Sequence, residues 1–552
     1  MEKTTGKHHK WKRPLVWTGA IMVSLILLAV IAGFILQHKL PDLLKASVKD
    51  KSKGLYALQF NDMQVSVLAG QITVHQVHLI PDTIAYRQMR DKPERLFTVH
   101  IEQLELKGFK VLRFLVSKKI KLTDLNVEKP VLVQWKMPVK KAKQVKEKGL
   151  RQLLQEWSGS KINHINIHDL RYRAVDWDKR AGNGGWLNHL NVAINDLWLD
   201  PATKADTNYC WMAKNIQLYG KNITYISDDE LYQFRMAQLN TSTASKIIQV
   251  DSLHIVPKYT EAQWSKVLSY KRDRYQMTFP KIEVKGMRFK EFEQEGRLIV
   301  DQLAIKAPLL HIYADKGMPE HKTVATNNFP SLAFQRLKLP LTIKQIQLIN
   351  GDIYYKERNP KSGKAGIVFF KQLNGQLSNV TNDPIQLKKK AWIDCRFSTY
   401  FLGQPKLTLD LRFDMQDTTG AFHYKGSLTG APASLFNQVL EPLTLARAES
   451  GYIHAIRFDV QANRFGASVK TDMRYNDFKM ALLDAKSGKL QKKGFLSLFI
   501  NWLAIKNDNP PKAGEPPRLA QHYYPHAQDG TFFNLLWKAV YSGLKVNLGL
   551  PK

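Results

Sequence analysis

The residues whose chemistry could serve a metal or an acid–base pair are few, and their spacing works against them. His164 and His168 stand four apart, an interval that suits two zinc ligands on one helical face. Ile165 and Ile167 alternate between them, so the segment reads as a strand with His164, Asn166 and His168 on its polar face. His75 and His78 fall on opposite faces of a strand and converge poorly. His522 and His526 bracket Tyr523-Tyr524-Pro525 without a nearby carboxylate pair, and Asp176 and Asp178 merely flank Trp177. There is no phosphate loop, nucleophile elbow or His-Glu-x-x-His zinc helix. The expectation is a protein that is not an enzyme, with no cofactor, no metal and no catalytic residue.

The elements that would carry any site announce themselves through a repeated phrase. It consists of two apolar residues in alternation, a step of three, and two more in alternation. Copies run Ile72/Val74/Val77/Leu79, Val99/Ile101/Leu104/Leu106, Ile120/Leu122/Leu125/Val127 and Ile165/Ile167/Leu170/Tyr172. Others are Val192/Ile194/Leu197/Leu199, Ile248/Val250/Leu253/Ile255 and Ile282/Val284/Met287/Phe289. Leu298/Val300/Leu303/Ile305 and Leu341/Ile343/Ile346/Leu348 complete the set. In seven of these nine no intervening residue is hydrophobic. A chain of 44% hydrophobic residues would give roughly two such windows by chance, so the phrase recurs well above chance. A period of two puts each pair on one strand face. The step of three would throw the second pair onto the other face unless a bulge absorbs a residue. Repeated bulges predict a long, curved antiparallel sheet with one apolar face.

At 552 residues the chain exceeds one ordinary core. Its net charge of +34 raises nucleic acid as a partner. No zinc spacing, aromatic ribonucleoprotein signature or helix-turn-helix phrase supports that, and the Lys and Arg are spread along the chain, so proximity to a membrane is the better reading. A polyanion-binding role would rest on charge alone. Cys210 and Cys395 lie too far apart to imply a disulfide framework.

Residues 15–36, including Leu15, Ile21, Leu27 and Leu36, form an uncharged, mostly apolar run of 22 residues. As a helix it would span roughly 33 Å, enough for a bilayer core. Lys3, Lys7, Lys10, Lys12 and Arg13 precede it, which keeps residues 1–14 cytoplasmic and exports the body. The run exceeds the apolar part of a signal peptide and no small-x-small site precedes Gln37, so an uncleaved anchor is expected. Phe495 to Ile505 is too short to cross and reads as buried or interfacial.

A short basic helix is expected over 40–53, then strands from Gly54. Lys136 to Lys148 runs into Leu150, Leu153, Leu154 and Trp157, a helix between two strand groups. Residues 182–185, Asn350-Gly351-Asp352 and Asn374-Gly375 read as loop or hairpin signals. A polar loop over 315–331 divides the body into regions 37–330 and 331–505. Leu407, Leu409, Leu411, Phe413 and Met415 alternate with polar residues as a half-buried strand, and 433–443 as a short helix. Residues 506–552 hold a proline-rich linker, with Pro510, Pro511, Pro516 and Pro517, and a C-terminal amphipathic helix from Phe532. Helices are too few to cover both sheet faces, which excludes a doubly wound α/β fold.

An N-terminal anchor followed by phrases such as Leu122/Leu125/Val127/Pro130/Leu132 and Ile343/Ile346/Leu348/Gly351/Ile353 resembles the AsmA-like proteins of the Gram-negative envelope. Phe60 to Asp82 is similar to the opening of such domains, and Gly451 to Phe478 to their C-terminal part. The resemblance implies an elongated, taco-like β-groove whose apolar face carries phospholipid acyl chains. It places the chain in the inner membrane by a single pass, with its body in the periplasm and the outer membrane or an envelope protein as further partners. The groove residues would be the apolar members of the repeats: Ile72, Val74, Val77, Leu79, Val99, Ile101, Leu104, Leu106, Ile120, Leu122, Ile248, Val250, Ile282, Val284, Leu341 and Ile343. The function implied is phospholipid transfer or outer-membrane lipid homeostasis. A rival reading is an assembly scaffold that binds outer-membrane proteins by strand addition. The pattern alone also allows the apolar face to be a closed core.

Overall fold

The computed structural model describes residues 37–90, 92–110, 119–138, 158–177, 186–227, 229–319, 329–360, 362–483, 505–512, 514–527 and 531–550. The anchor with Leu15, Ile21, Leu27 and Leu36, the helix expected before Trp157, the signal at 182–185 and most of the run ending at Ile505 lie outside them. Among the described residues no helix is long and apolar enough to cross a membrane. The protein is mainly β, 56% strand, with short helices.

Two compact units divide the chain, residues 1–228 with 240–245, and residues 229–239 with 246–552. The first begins with helix α1 (37–51). Helix α2 (Thr83–Gln88) is capped by Asp82, whose carboxylate accepts from the backbone N of Ile84 and Ala85 at 2.8 and 3.0 Å. Its strands are β1 (Tyr56–Gln59), β2 (Asp62–Ser66), β3 (Gln71–Pro81), β4 (Arg95–Lys107), β5 (Lys121–Glu128), β6 (Val131–Lys136), β7 (Ser160–Asp176), β8 (Leu187–Leu199) and β9 (Ala213–Ile226).

The second unit takes up β10 (Tyr232–Ser242) as far as residue 239, followed by β11 (Ile247–Pro257), helix α3 (Glu261–Val267) and β12 (Arg274–Lys285). Helix α4 (Phe289–Glu295), β13 (Leu298–Lys306), β14 (Leu309–Asp315) and helix α5 (Pro330–Gln335) come next. The long strands β15 (Leu341–Arg358) and β16 (Ala365–Thr381) lead through helix α6 (Pro384–Leu387) to β17 (Trp392–Phe401), β18 (Lys406–Asp414) and β19 (Phe422–Leu428). The unit closes with β20 (Ala431–Pro432), helix α7 (Asn437–Thr444), β21 (Ala446–Asn463), β22 (Gly466–Leu482), β23 (Leu519–Pro525) and helix α8 (Phe532–Asn547).

The pairing is mixed, which corrects the expectation of an antiparallel sheet. β5 and β6 both run parallel to β7, and β13 and β14 both run parallel to β15. A parallel pair needs a crossover of a dozen or more residues. The stretches between β6 and β7 and between β14 and β15 supply it, and the second carries α5.

The step of three has a backbone cause. In five of the nine phrases the second residue of the gap has a left-handed backbone: Gln76, Asp169, Asp196, Ser252 and Gly286, with φ of 51, 55, 52, 51 and 69°. Such a residue turns the strand so that side chains three apart share a face. It is not usually an extra residue on one strand, as a simple bulge would be. Ile72↔Leu106 and Leu79↔Val99 keep one register through Gln76, and Ile248↔Val284 and Leu253↔Phe279 do so through Ser252. Opposite Gln76 and Ser252 stand Glu102 and Pro280, whose backbones are not left-handed, and farther along each unit the irregularity recurs at matching levels as a crease. In the first unit Gln76, Lys129, Asp169, His189 and Asn222 form such a crease, and in the second Ser252, Ala307, Asn350 and Gln372 do. Register does shift at β7–β8, β15–β16 and β16–β17.

The crease also corrects two turn readings. Asn350-Gly351-Asp352 lies inside β15 and Asn374-Gly375 inside β16. Asn374 Oδ1 accepts from the backbone N of Asn350 at 3.1 Å, and Asp352 Oδ1 from that of Gln372 at 3.0 Å, so side chains satisfy what the crease disturbs. Asn and Gly adopt φ > 0 readily, which makes a crease look like a hairpin in sequence. Three phrase members also leave the strands. Ile120 precedes β5, and Met287 follows β12, with Phe289 opening α4.

The largest core belongs to the end of the second unit. Helix α8 lays Phe532, Leu535, Ala539 and Val540 over Phe422, Tyr424, Val460 and Val469. Tyr424 Oη donates to the carbonyl of Leu536 at 2.9 Å, and burial pushes its phenol well above the ordinary range.

Candidate functional site

Within each unit the apolar members of the repeats meet across strands. In the first, Ile72↔Leu106, Val74↔Leu104, Val77↔Ile101 and Leu79↔Val99 are direct β3–β4 partners. The row continues as Leu104↔Val127, Val127↔Ile167, Ile167↔Val192 and Val192↔Leu218. In the second, Ile248↔Val284 and Val250↔Ile282 join β11 to β12, Ile282↔Ile305 and Val284↔Leu303 join β12 to β13. Leu298↔Leu341 and Val300↔Ile343 bring two copies of the phrase into parallel register on β13 and β15. Direct partners point to the same face.

Of the sixteen residues expected on this face, Ile72, Val74, Val77 and Leu122 are buried. Leu79, Val99, Ile101, Leu104, Leu106, Ile120, Ile248, Val250, Ile282, Val284, Leu341 and Ile343 are half-buried. One row of the second unit shows both conditions. It runs Ile248, Val284, Leu303, Ile346, Leu377, Cys395, Leu411, Tyr424, Val460 and Val469, each the register partner of the next. The first five are half-buried, whereas Val460 and Val469 are fully buried under α8. The same apolar pattern is thus core at one end and a partly uncovered surface at the other.

That difference has an energetic meaning. Full burial of a Val, Leu or Ile side chain is worth about 1.5–3 kcal/mol, so the minor share these residues leave exposed is worth about 0.5 kcal/mol per residue. Over the dozen residues that is about 6 kcal/mol, divided between the two units. Such a face gains from an apolar occupant.

Past the crease of the second unit the face turns polar. Tyr275↔Ile312 and Ile312↔Tyr355 form one row on β12, β14 and β15. Burial pushes the Tyr275 phenol up to about 12 and raises Tyr355 further, helped by neighbouring Glu357. Tyr355 Oη donates to Glu357 Oε2 at 2.8 Å, and Lys316 Nζ reaches Glu357 at 2.5 Å. The pattern reading missed these tyrosines because an alternating Tyr looks the same as an alternating Leu; the Tyr354-Tyr355 pair was the available signal.

The opposite face is laddered with polar pairs. Glu105 accepts from Asn126 and Gln71 at 2.9 and 2.7 Å and pairs with Lys107 at 3.0 Å, and the Asn126 bond leads in holding its carboxyl below the usual range. Glu283, bonded by Lys306 at 3.0 Å and Lys281 at 3.2 Å, is lowered likewise.

The histidines take structural places. His164 and His168 are exposed on β7, His164 against Asn195 at 3.2 Å and His168 at 4.0 Å from Glu128. His75 lies 3.9 Å from Asp62, His78 packs against His100 with ring centroids 4.3 Å apart and planes tilted by 32°, and His522 meets Ser542 at 2.9 Å. Asp176 pairs with Lys136 at 3.8 Å. Among the described residues no cluster of three or more His, Cys, Asp or Glu is placed to hold a metal. Cys210 and Cys395 are both buried.

No protein-family model matches the chain, and no curated protein matches it.

Proposed function

We propose that this chain is a non-enzymatic, AsmA-like envelope protein that holds phospholipid acyl chains against its half-buried apolar β faces. In this reading residues 15–36 anchor it in the inner membrane, the body is periplasmic, and it contributes to phospholipid transfer or outer-membrane lipid homeostasis. The observation that carries the reading is the row from Ile248 to Val469. One continuous pattern is covered by α8 at its far end, yet stays half-buried at Ile248, Val284 and Leu303, where an acyl chain would complete the burial. Up to the crease this face is aliphatic, which suits a methylene chain, since such a chain asks for area and no hydrogen bonds. Lipid extraction from purified protein followed by mass spectrometry tests this. Phospholipid in stoichiometric amount is the expected result; its absence would overturn the reading.

A second reading has its own observation. Among the described residues β23 pairs only with β22, and its Leu519 and Tyr523 are exposed, so an incoming strand could add there. Bound polypeptide without lipid in the same extraction would favour a scaffold.

A further inference from the structure

Helix α8 has a second face. Leu535 and Ala539 are fully buried against the sheet, but Phe533 is 75% exposed and Trp537 56% exposed. Tyr541 follows at the same four-residue interval and stacks on Trp537, with ring centroids 5.6 Å apart and planes at 23°. Phe533 and Trp537, with the half-buried Tyr541 below them, therefore form one stripe down the helix. Lys538 and Lys545 lie at its border, and the helix, Phe532–Asn547, contains no Asp or Glu. Lys506 is exposed at the C-terminal end, where its backbone N donates to the carbonyl of Leu548 at 2.9 Å.

We propose that this outward stripe docks on an anionic bilayer surface, the aromatic rings entering the headgroup–acyl boundary while Lys506, Lys538 and Lys545 meet lipid phosphates. Phe, Trp and Tyr edged by lysine, with no acid present, is the chemistry of an interfacial helix. The size of the stripe speaks against a second copy of the chain as occupant. Three aromatics of 150–250 Å² each, already partly covered, offer about 400 Å², against roughly 800 Å² per partner in a stable interface. A fluid bilayer needs no shape-matched partner. The charge complements it, since each lysine near an anionic surface strengthens binding about fivefold. This contact is separate from the apolar β faces and stands or falls without them.

The test uses the full-length chain in zwitterionic nanodiscs, with an environment-sensitive fluorophore on Trp537→Cys. Cys210 and Cys395 are buried, and burial pushes the Cys395 thiol up to about 12, so the new thiol labels selectively. An unchanged melting temperature confirms that the exposed site tolerates the substitution. Vesicles of phosphatidylcholine with phosphatidylglycerol are added, and separately vesicles of phosphatidylcholine alone. The expected result is a blue-shifted emission, quenched by nitroxide-bearing acyl chains, with the phosphatidylglycerol vesicles. Adding Lys538→Glu and Lys545→Glu should weaken the response several-fold. Emission indifferent to both vesicles would overturn the proposal. So would a shift that follows protein concentration without vesicles, which would assign the stripe to a second copy. Phospholipid could still co-purify on the β faces in either case, so the two readings fail separately.

Discussion

Ala307 and Asn350 lie side by side on parallel neighbours, and both have a left-handed backbone, φ 47 and 51°, with the Ala307 N donating to the carbonyl of Ile349 at 2.7 Å. They mark the crease of the second unit, and Lys129 and Asp169 repeat the relationship in the first, with φ 46 and 55°. Asp and Asn tolerate this conformation, whereas for Ala or Lys it costs about 1–2 kcal/mol.

The crease therefore makes a directional prediction at Ala307. Ala307→Gly should stabilise the fold by about 0.5–1 kcal/mol, the relieved strain less the entropy glycine adds to the unfolded chain. Ala307→Val, β-branched at positive φ, should destabilise it by about 1–2 kcal/mol. Urea unfolding of both variants reads the difference, and a valine variant as stable as the parent would refute the assigned backbone.

The polar face should make stability depend on acid. Glu283 has its folded pKa held down, first by the hydrogen bond from Lys306, and Asp301 likewise by Lys344. The unfolded chain then binds the proton more readily. Their contribution is complete above the ordinary carboxylate pKa of about 4 and is lost as pH falls through the lowered values. Melting temperature should drop between neutral pH and pH of about 3, and Lys306→Met should make that drop shallower.

Helix α8 should respond according to face. Leu535 is fully buried, so Leu535→Ala should cost about 2–5 kcal/mol. Phe533→Ser, on the exposed side, should stay within about 0.5 kcal/mol of the parent. Equal losses in chemical denaturation would mean that the outer stripe is covered.

The proposed topology can be read with a reporter fused after Lys552. Five basic residues precede residues 15–36, so the fusion should be active only as an exported enzyme. Activity of a cytoplasmic reporter at that position would reverse the orientation and remove the periplasmic assignment.

Strand identity was legible wherever alternation was strict, as at Leu407 to Phe413, because a period of two has one structural meaning. The phase across the step of three was legible too, since the apolar partners of β3 and β4 meet as pairs. The device that produces it was not, because Asn350-Gly351 favours φ > 0 equally in a hairpin and in a crease. Parallel pairing was hidden for another reason. Strand direction depends on where the crossovers before β7 and β15 return the chain, and no residue pattern within a strand records that. Nor could the repeats separate Val284 from Val460. Both are apolar members of alternating strands, and only the placement of α8 makes one fully buried and leaves the other half-buried.

That pair supplies the most direct test of acyl-chain binding. Val284→Asp and Val460→Asp place the same carboxylate on one cross-strand row, and each variant is purified for its melting temperature and bound phospholipid. A carboxylate in the closed core is unpaired and should cost several kcal/mol, enough to unfold the unit at Val460. At Val284 it can hydrate, so the account predicts a transition near that of the parent protein together with loss of the phospholipid that the parent carries. Collapse of Val284→Asp alongside Val460→Asp, with no phospholipid on the parent, would contradict the account and make the whole row a protein core.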